Sequence, residues 1–159
     1  MQPHIAFLTP MAAPTIEVVR HLKPPGFTIE FAQTNEPTEY LEIVSRADAI
    51  MAAGTFVTAE MIAQAPRLKL IQKWGIGVDK IDLEAARRAG VTVAITAGAT
   101  SIPVSEHTLM LMLATSRRLP LAHRSLQEGK WIASDLRTVC AKLDGKTVGL
   151  FGFGNIARF

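Results

Sequence analysis

Leu68–Val93, LKLIQKWGIGVDKIDLEAARRAGVTV, decides the reading of the chain. It opens with an apolar strand, Leu68–Gln72, followed by a glycine-rich loop, Lys73–Lys80. A short helix over Asp82–Ala89 and a second apolar strand over Val91–Ile95 complete a strand–helix–strand unit. The strands are nearly continuous apolar runs, the pattern of a parallel sheet covered on both faces. Asp82 suits the N-cap, Glu84 the first turn, Arg87 and Arg88 the last turn, and Gly90 the C′ position. Ligands of open parallel sheets sit beyond the carboxyl ends of the strands. The loop Gly75-Ile76-Gly77-Val78-Asp79 falls at such an end, and its glycines let backbone N–H groups approach an anion.

Working outward, His4–Leu8, Phe27–Ala32 and Ala47–Ala53 read as three further strands. Between them, Pro14 and Pro37 open helices whose apolar residues recur at core spacing. Thr58 is the expected cap of the next helix, with Val57 and Ile62 flanking it as a hydrophobic staple. Five strands alternating with helices up to Ala97 predict a doubly wound parallel α/β domain. The texture changes after Ser101. Ile102–Arg118 reads as a helix ended by Pro120, and Leu109–Ala114 within it has no polar face. A helix apolar all round is expected to be buried on all sides, between domains or between subunits. Ala122–Gln127 is a second helical piece, and Lys146–Phe151 reads as a sixth strand.

Bulk properties narrow the function. The 159 residues carry a formal charge of +3, without a dense Lys/Arg cluster, which argues against a nucleic-acid partner. A single cysteine, Cys140, excludes an internal disulfide. The most apolar run, Leu109–Ala114, falls far short of the ~20 residues that span a bilayer. The amino terminus lacks the basic, then long apolar, pattern of a signal peptide. The expectation is a soluble cytoplasmic protein with no membrane partner. No His/Cys/Asp/Glu cluster has metal-ligand spacing.

The expected sixth strand runs into Gly152-Phe153-Gly154-Asn155-Ile156-Ala157. Gly-x-Gly-x-x-Ala after an apolar strand matches the dinucleotide fingerprint, in which Asn155 and Ile156 would donate backbone N–H groups to a pyrophosphate; taken alone it fits a structural glycine turn equally well. The acid that binds the adenosine ribose belongs about 20 residues further on, beyond Phe159. Ser105 and His107 do not make a catalytic pair, because helical residues two apart diverge.

Three segments in order resemble the D-isomer-specific 2-hydroxyacid dehydrogenases, the phosphoglycerate-, glycerate- and hydroxypyruvate-type enzymes. They are LKLIQKWGIGVDKIDLEAARRAGVTVAITAGA, then VSEHTLMLMLATSRRLPLAHRSLQEGKW, then GKTVGLFGFGNIARF. The resemblance implies a flavodoxin-like substrate domain over residues 1–99, then an interdomain helix. It also implies the first strand and phosphate turn of an incomplete NAD-binding Rossmann domain over 100–159. By position, Ile76 and Gly77 would hold the substrate carboxylate through backbone N–H groups, with Thr55 lining the same pocket. Ile76 would also lie beside the nicotinamide, and Gly152, Gly154, Asn155 and Ile156 would contact the cofactor, NAD or NADP, with NAD favoured. The implied reaction is reversible hydride transfer to C2 of a small 2-keto acid, in a homodimer formed through the interdomain helix region.

The relatives' catalytic Arg, Glu and His belong to the part beyond Phe159, so no catalytic residue is assigned within 1–159. Ile95, Ala97 and Thr100 stand where many relatives have Asn, Pro and Asn, which leaves the substrate's identity open. Glu106-His107 is expected to open the interdomain helix and to act structurally. The competing reading is a truncated, non-catalytic carboxylate-binding or dimerising module. A phosphoacceptor receiver fits less well, because the first strand ends in Thr9-Pro10 without an acidic cluster.

Overall fold

The computed structural model describes residues 2–159 and divides the chain into two compact units, one running to Ala97 and the other over Gly98–Phe159. In the first unit, β1 (His4–Phe7), β2 (Thr28–Phe31), β3 (Ala49–Ala52), β4 (Leu70–Lys73) and β5 (Thr92–Ala94) form one sheet. All pairings are parallel and the order is β2-β1-β3-β4-β5, the flavodoxin-like winding expected from the sequence. The registers are direct: Ile5 faces Ile29 and Ala49, and Ile50 faces Ile71. Strand β4 reaches one residue further than its apolar run. The Trp74 N–H still donates to Ala52 O at 2.9 Å, so Lys73 belongs to the ladder and the loop begins at Trp74.

Helices α1 (Ala13–Leu22), α2 (Pro37–Val44), α3 (Ala59–Ala63) and α4 (Leu83–Arg88) link the strands. Their ends follow the expected chemistry. Thr58 Oγ1 accepts the Met61 N–H at 3.3 Å, and Asp82 Oδ1 accepts the Ala85 N–H at 2.8 Å. Pro14 and Pro37 sit in the first turns of α1 and α2, where no N–H is needed. One sheet face packs Ala6, Leu8, Ile50 and Ile71 against Tyr40, Val44, Met61, Ile62 and Ala86 in a single core. Complete burial of Leu8, Ile50 and Ile71 contributes about 1.5–3 kcal/mol each. The opposite face is covered more thinly: Ile5, Ile29 and Met51 share a groove with Val19 and Leu22 of α1. Phe7 is fully buried among this second set, stacked on Phe31 and edge-on to Trp74, each at 5.3 Å between ring centroids. Trp74 is thus a packing residue on that face.

The second unit holds α5 (Ser101–Ser116), α6 (Leu119–Gln127) and 3-10 turns at Asp135–Thr138 and Ile156–Arg158. Pro120 was expected to end α5. It instead sits in the first turn of α6, where its fixed φ suits a helix start, and Arg118 in the left-handed region at φ 55° makes the break. The sixth strand expected at Lys146–Phe151 does not form. A parallel strand requires a neighbour to take its backbone groups, and residues 98–159 supply none. Val148 and Leu150 are exposed and Phe151 fully so. The expected burial of Leu109–Ala114 is likewise not found: Leu109, Met110, Leu111 and Leu113 are each about half exposed, 49–54%. Nothing among the described residues covers them.

At the amino end of the sheet, Glu30 accepts Arg46 Nη2 at 2.6 Å and Nε at 3.0 Å, and meets His4 Nε2 at 3.0 Å. The Arg46 hydrogen bond, with help from His4, holds the Glu30 carboxyl below its ordinary 4.5 against the opposing effect of partial burial. A carboxylate whose pKa is depressed by folding stabilises the fold above its unfolded value and loses that contribution as pH falls through the folded one. The denaturation midpoint should therefore drop as pH is lowered below about 4.5. Glu30→Gln should flatten that part of the profile and cost roughly 1 kcal/mol near neutrality; urea titrations across pH check both.

Candidate functional site

The carboxyl ends of β1, β3, β4 and β5 deliver Thr9, Gly54-Thr55, Trp74–Lys80 and Thr96 to one edge of the sheet. Side chains tie these ends together. Thr55 Oγ1 donates to Leu8 O at 2.8 Å. Its proton being spent there, the 3.2 Å contact with Thr9 Oγ1 is a donation from Thr9, whose oxygen also accepts the Gly54 N–H at 3.2 Å. Thr55 thus bonds across to the end of β1 rather than within its own turn, and lines a cavity as well. On the other side, Thr96 N–H donates to Gly75 O at 2.8 Å and Thr96 Oγ1 to Lys73 O at 2.9 Å.

The loop after β4 is clamped at both ends and open in the middle. Gly75 has φ 134°, which L side chains rarely adopt, so glycine is required there. Further along, Lys80 O accepts the Val57 N–H at 2.8 Å, Val57 O accepts the Asp82 N–H at 3.0 Å, and Val57 and Ile81 form an isolated parallel bridge. Lys80 Nζ donates to Gly54 O at 2.9 Å and lies 5.1 Å from the Phe56 ring centre. Lys73 Nζ donates to Ala53 O rather than standing free in solvent. Between these clamps, the N–H groups of Gly75 through Lys80 have no acceptor among the described residues, and Ile76 and Gly77 are exposed. Unpaired consecutive N–H groups are suited to an anion such as a carboxylate. A Cβ on Gly77 would fall 2.8 Å from Asp79 Oδ1.

Beside this loop, a cavity of about 560 Å³ opens between the ends of β1 and β3 and helices α2 and α3. Thr55 is its link to the predicted site. The sequence pointed to Thr55, Ile76 and Gly77 but missed Thr9, Phe56, Tyr40 and Lys80. Thr9 had a usable signal, since it lies two residues past β1 as Gly54 lies two residues past β3. Lys80 had none, because its role depends on where the loop after β3 turns.

Gly152, Gly154, Asn155 and Ile156 lie in the second unit as exposed residues within the stretch 152–156. Gly152 takes φ 95°, as a fingerprint turn allows, but only the 3-10 turn Ile156–Arg158 follows it. Glu106 and His107 on α5 are exposed and make no hydrogen bond or ion pair among the described residues. No group of three or more His, Cys, Asp or Glu side chains among the described residues is placed to hold a metal. No helix among them is long and apolar enough to cross a membrane.

A flavodoxin-like parallel sheet with an anion-ready loop at its carboxyl edge defines a class of α/β domain, and comparison with known proteins narrows it. Residues 5–153 match the profile of the D-isomer specific 2-hydroxyacid dehydrogenase catalytic domain, and the chain belongs to that family. It is 36% identical over 141 residues to the D-3-phosphoglycerate dehydrogenase of Archaeoglobus fulgidus, an alignment covering 88% of this chain and 26% of that one. It is 40% identical over 124 residues to the hydroxypyruvate reductase of Thermotoga maritima, covering 77% of this chain and 40% of that one. The crystal structure of an NAD-dependent formate dehydrogenase from Staphylococcus aureus in complex with NAD superposes with a TM-score of 0.81 at 27% identity, over 98% of this chain and 51% of that one. The chain therefore spans about a quarter to two-fifths of the length of these curated relatives.

The backbone at Gly75 gives a direct check on the loop. Gly75→Ala should destabilise the first unit by about 1–3 kcal/mol through the forced φ, although the new Cβ would meet only Lys73 Cε, at an ordinary 3.7 Å. Denaturant unfolding measures this, with Gly54→Ala, whose Cβ meets nothing within 4 Å, as the control expected to cost less.

Proposed function

We propose that this chain is the amino-terminal part of a nicotinamide-dependent oxidoreductase that exchanges hydride with C2 of a small D-2-hydroxy acid or its 2-keto form. The observation that carries the proposal is the loop after β4, whose Ile76 and Gly77 N–H groups lack acceptors at the carboxyl edge of the sheet. In this reading those two groups bind the substrate carboxylate, Ile76 borders the nicotinamide, and Thr55 shapes the floor beneath the substrate. Residues 1–99 then form the substrate domain and 100–159 the start of the dinucleotide domain.

The cofactor is NAD or NADP, with NAD favoured by the family. Gly152, Gly154, Asn155 and Ile156 fit a phosphate turn in residue type. Their described geometry does not complete one, because no paired strand precedes them and no α-helix follows. No step is derived through that group, and no residue of 1–159 is assigned as the proton donor.

The exposed apolar residues of α5, with Leu109 and Leu113 one turn apart on one face, support self-association as a homodimer. Light scattering on the complete polypeptide should give twice the subunit mass, and Leu109→Asp with Leu113→Asp should shift it toward the monomer. A wild-type monomer would remove this part of the reading.

The activity itself is tested by following nicotinamide absorbance with a panel of 2-keto acids. The complete polypeptide should turn over at least one of them, whereas chain 1–159 should not, since loss of a general acid alone costs roughly 10²–10⁴-fold. In the complete polypeptide, Gly77→Val should raise KM and lower kcat/KM by an amount equivalent to roughly 1–3 kcal/mol. Unchanged kinetics in a folded variant would take the carboxylate away from this loop.

A further inference from the structure

The cavity beside Thr55 carries information about the substrate's other end. Its walls are apolar, built from Pro37, Tyr40, Leu41, Phe56 and Met61. At about 560 Å³ it lies within the roughly 300–1,000 Å³ of small-molecule sites. Its polar groups are few. Thr9 and Thr55 have committed their hydroxyl protons to Thr55 Oγ1 and Leu8 O. Tyr40 Oη donates to Asn35 Oδ1 at 2.9 Å, which leaves the Asn35 amide NH₂ as a donor without a partner among the described residues. Glu60 supplies the single charge in the lining, and it is negative.

A phosphate or second carboxylate in such a pocket would require arginine, lysine or open helix N-termini. The lining contains no arginine or lysine. Helix α2 begins with Pro37, which has no N–H, and carries Glu39 in its first turn. Helix α3 has its Met61 N–H taken by Thr58 and carries Glu60 in its first turn. Two cations bonded at its rim are already engaged, Lys80 by Gly54 O and the Phe56 ring and Lys73 by Ala53 O. The pocket is also held in shape before any ligand arrives. Glu39 accepts the Gln33 and Thr34 N–H groups, both at 2.8 Å, and so fixes the turn that presents Asn35.

We propose that this cavity receives the substituent at C2 of the substrate, and that this substituent is uncharged and largely apolar, a branched aliphatic or aromatic group rather than a phosphorylated one. The assignment rests on the carboxylate-binding reading of the Ile76–Gly77 loop, which Gly54, Val57 and Lys80 tie to the cavity wall. It separates this chain from what the name of its D-3-phosphoglycerate dehydrogenase relative says that relative acts on.

The test uses the complete polypeptide with reduced nicotinamide and five keto acids: glyoxylate, pyruvate, 4-methyl-2-oxopentanoate, phenylpyruvate and 3-phosphohydroxypyruvate. The expected result is a kcat/KM for the branched or aromatic acid at least roughly 10-fold above that for glyoxylate, and above that for the phosphorylated acid. Phe56 is exposed, so Phe56→Ala leaves the core intact. It should lower kcat/KM roughly 10-fold for phenylpyruvate and progressively less as the substituent shrinks. A purely structural role for Phe56 would lower all five alike and would overturn the assignment. Preference for 3-phosphohydroxypyruvate would overturn it while leaving the dehydrogenase reading in place. Absence of turnover on every keto acid would overturn that reading and this assignment together.

Discussion

A parallel sheet satisfies its backbone in its interior, but where each strand ends the chain must find other partners for its N–H and C=O groups. That constraint shapes the first unit. At the carboxyl edge the partners are Thr9, Thr55 and Thr96, whose hydroxyls bind neighbouring backbone, and Lys73 and Lys80, whose ammonium groups cap Ala53 O and Gly54 O. The N–H groups from Gly75 to Lys80, Ile76 and Gly77 among them, are left over from this accounting, as are those of Thr9, Thr55 and Phe56.

The opposite edge answers the same constraint with charge. His4 N–H donates to Asp48 Oδ2 at 2.8 Å, and Glu30 gathers Arg46 and His4. One edge is thereby closed by ion pairs and the other by neutral hydroxyls and two lysines. Asp79 in the loop and Glu60 in the cavity lining are carboxylates that remain at the carboxyl end.

Much of the first unit was legible in the sequence because its signals are local. Capping by Thr58 and Asp82, proline at the starts of α1 and α2, and apolar runs separated by turns each act within a few residues. The alternation gave a doubly wound parallel sheet, and the flavodoxin-like order came from the family resemblance rather than from local signals. The cavity was not legible, because Asn35 and Tyr40 at α2 and Phe56 after β3 come from two segments whose meeting is decided by packing. Nothing local to Lys73 announces its bond to Ala53 O, which appears only once β3 and β4 are side by side. The failure at Lys146–Phe151 has the opposite origin. Val148, Leu150 and Phe151 carry strong local strand preference, yet pairing is a non-local requirement that residues 98–159 do not meet.

The ties between the loops after β3 and β4 have a mechanical consequence. The Val57–Ile81 bridge, the Lys80 bond to Gly54 and the Lys73 bond to Ala53 cross-brace two segments that would otherwise flex separately. Cross-bracing turns them into one plate, so neither can fold down over a ligand without tearing bonds from the other. Any closing movement must then bring something to this plate rather than bend it. The entropy of arranging its donors is paid during folding, and an arriving anion meets a surface with little left to organise.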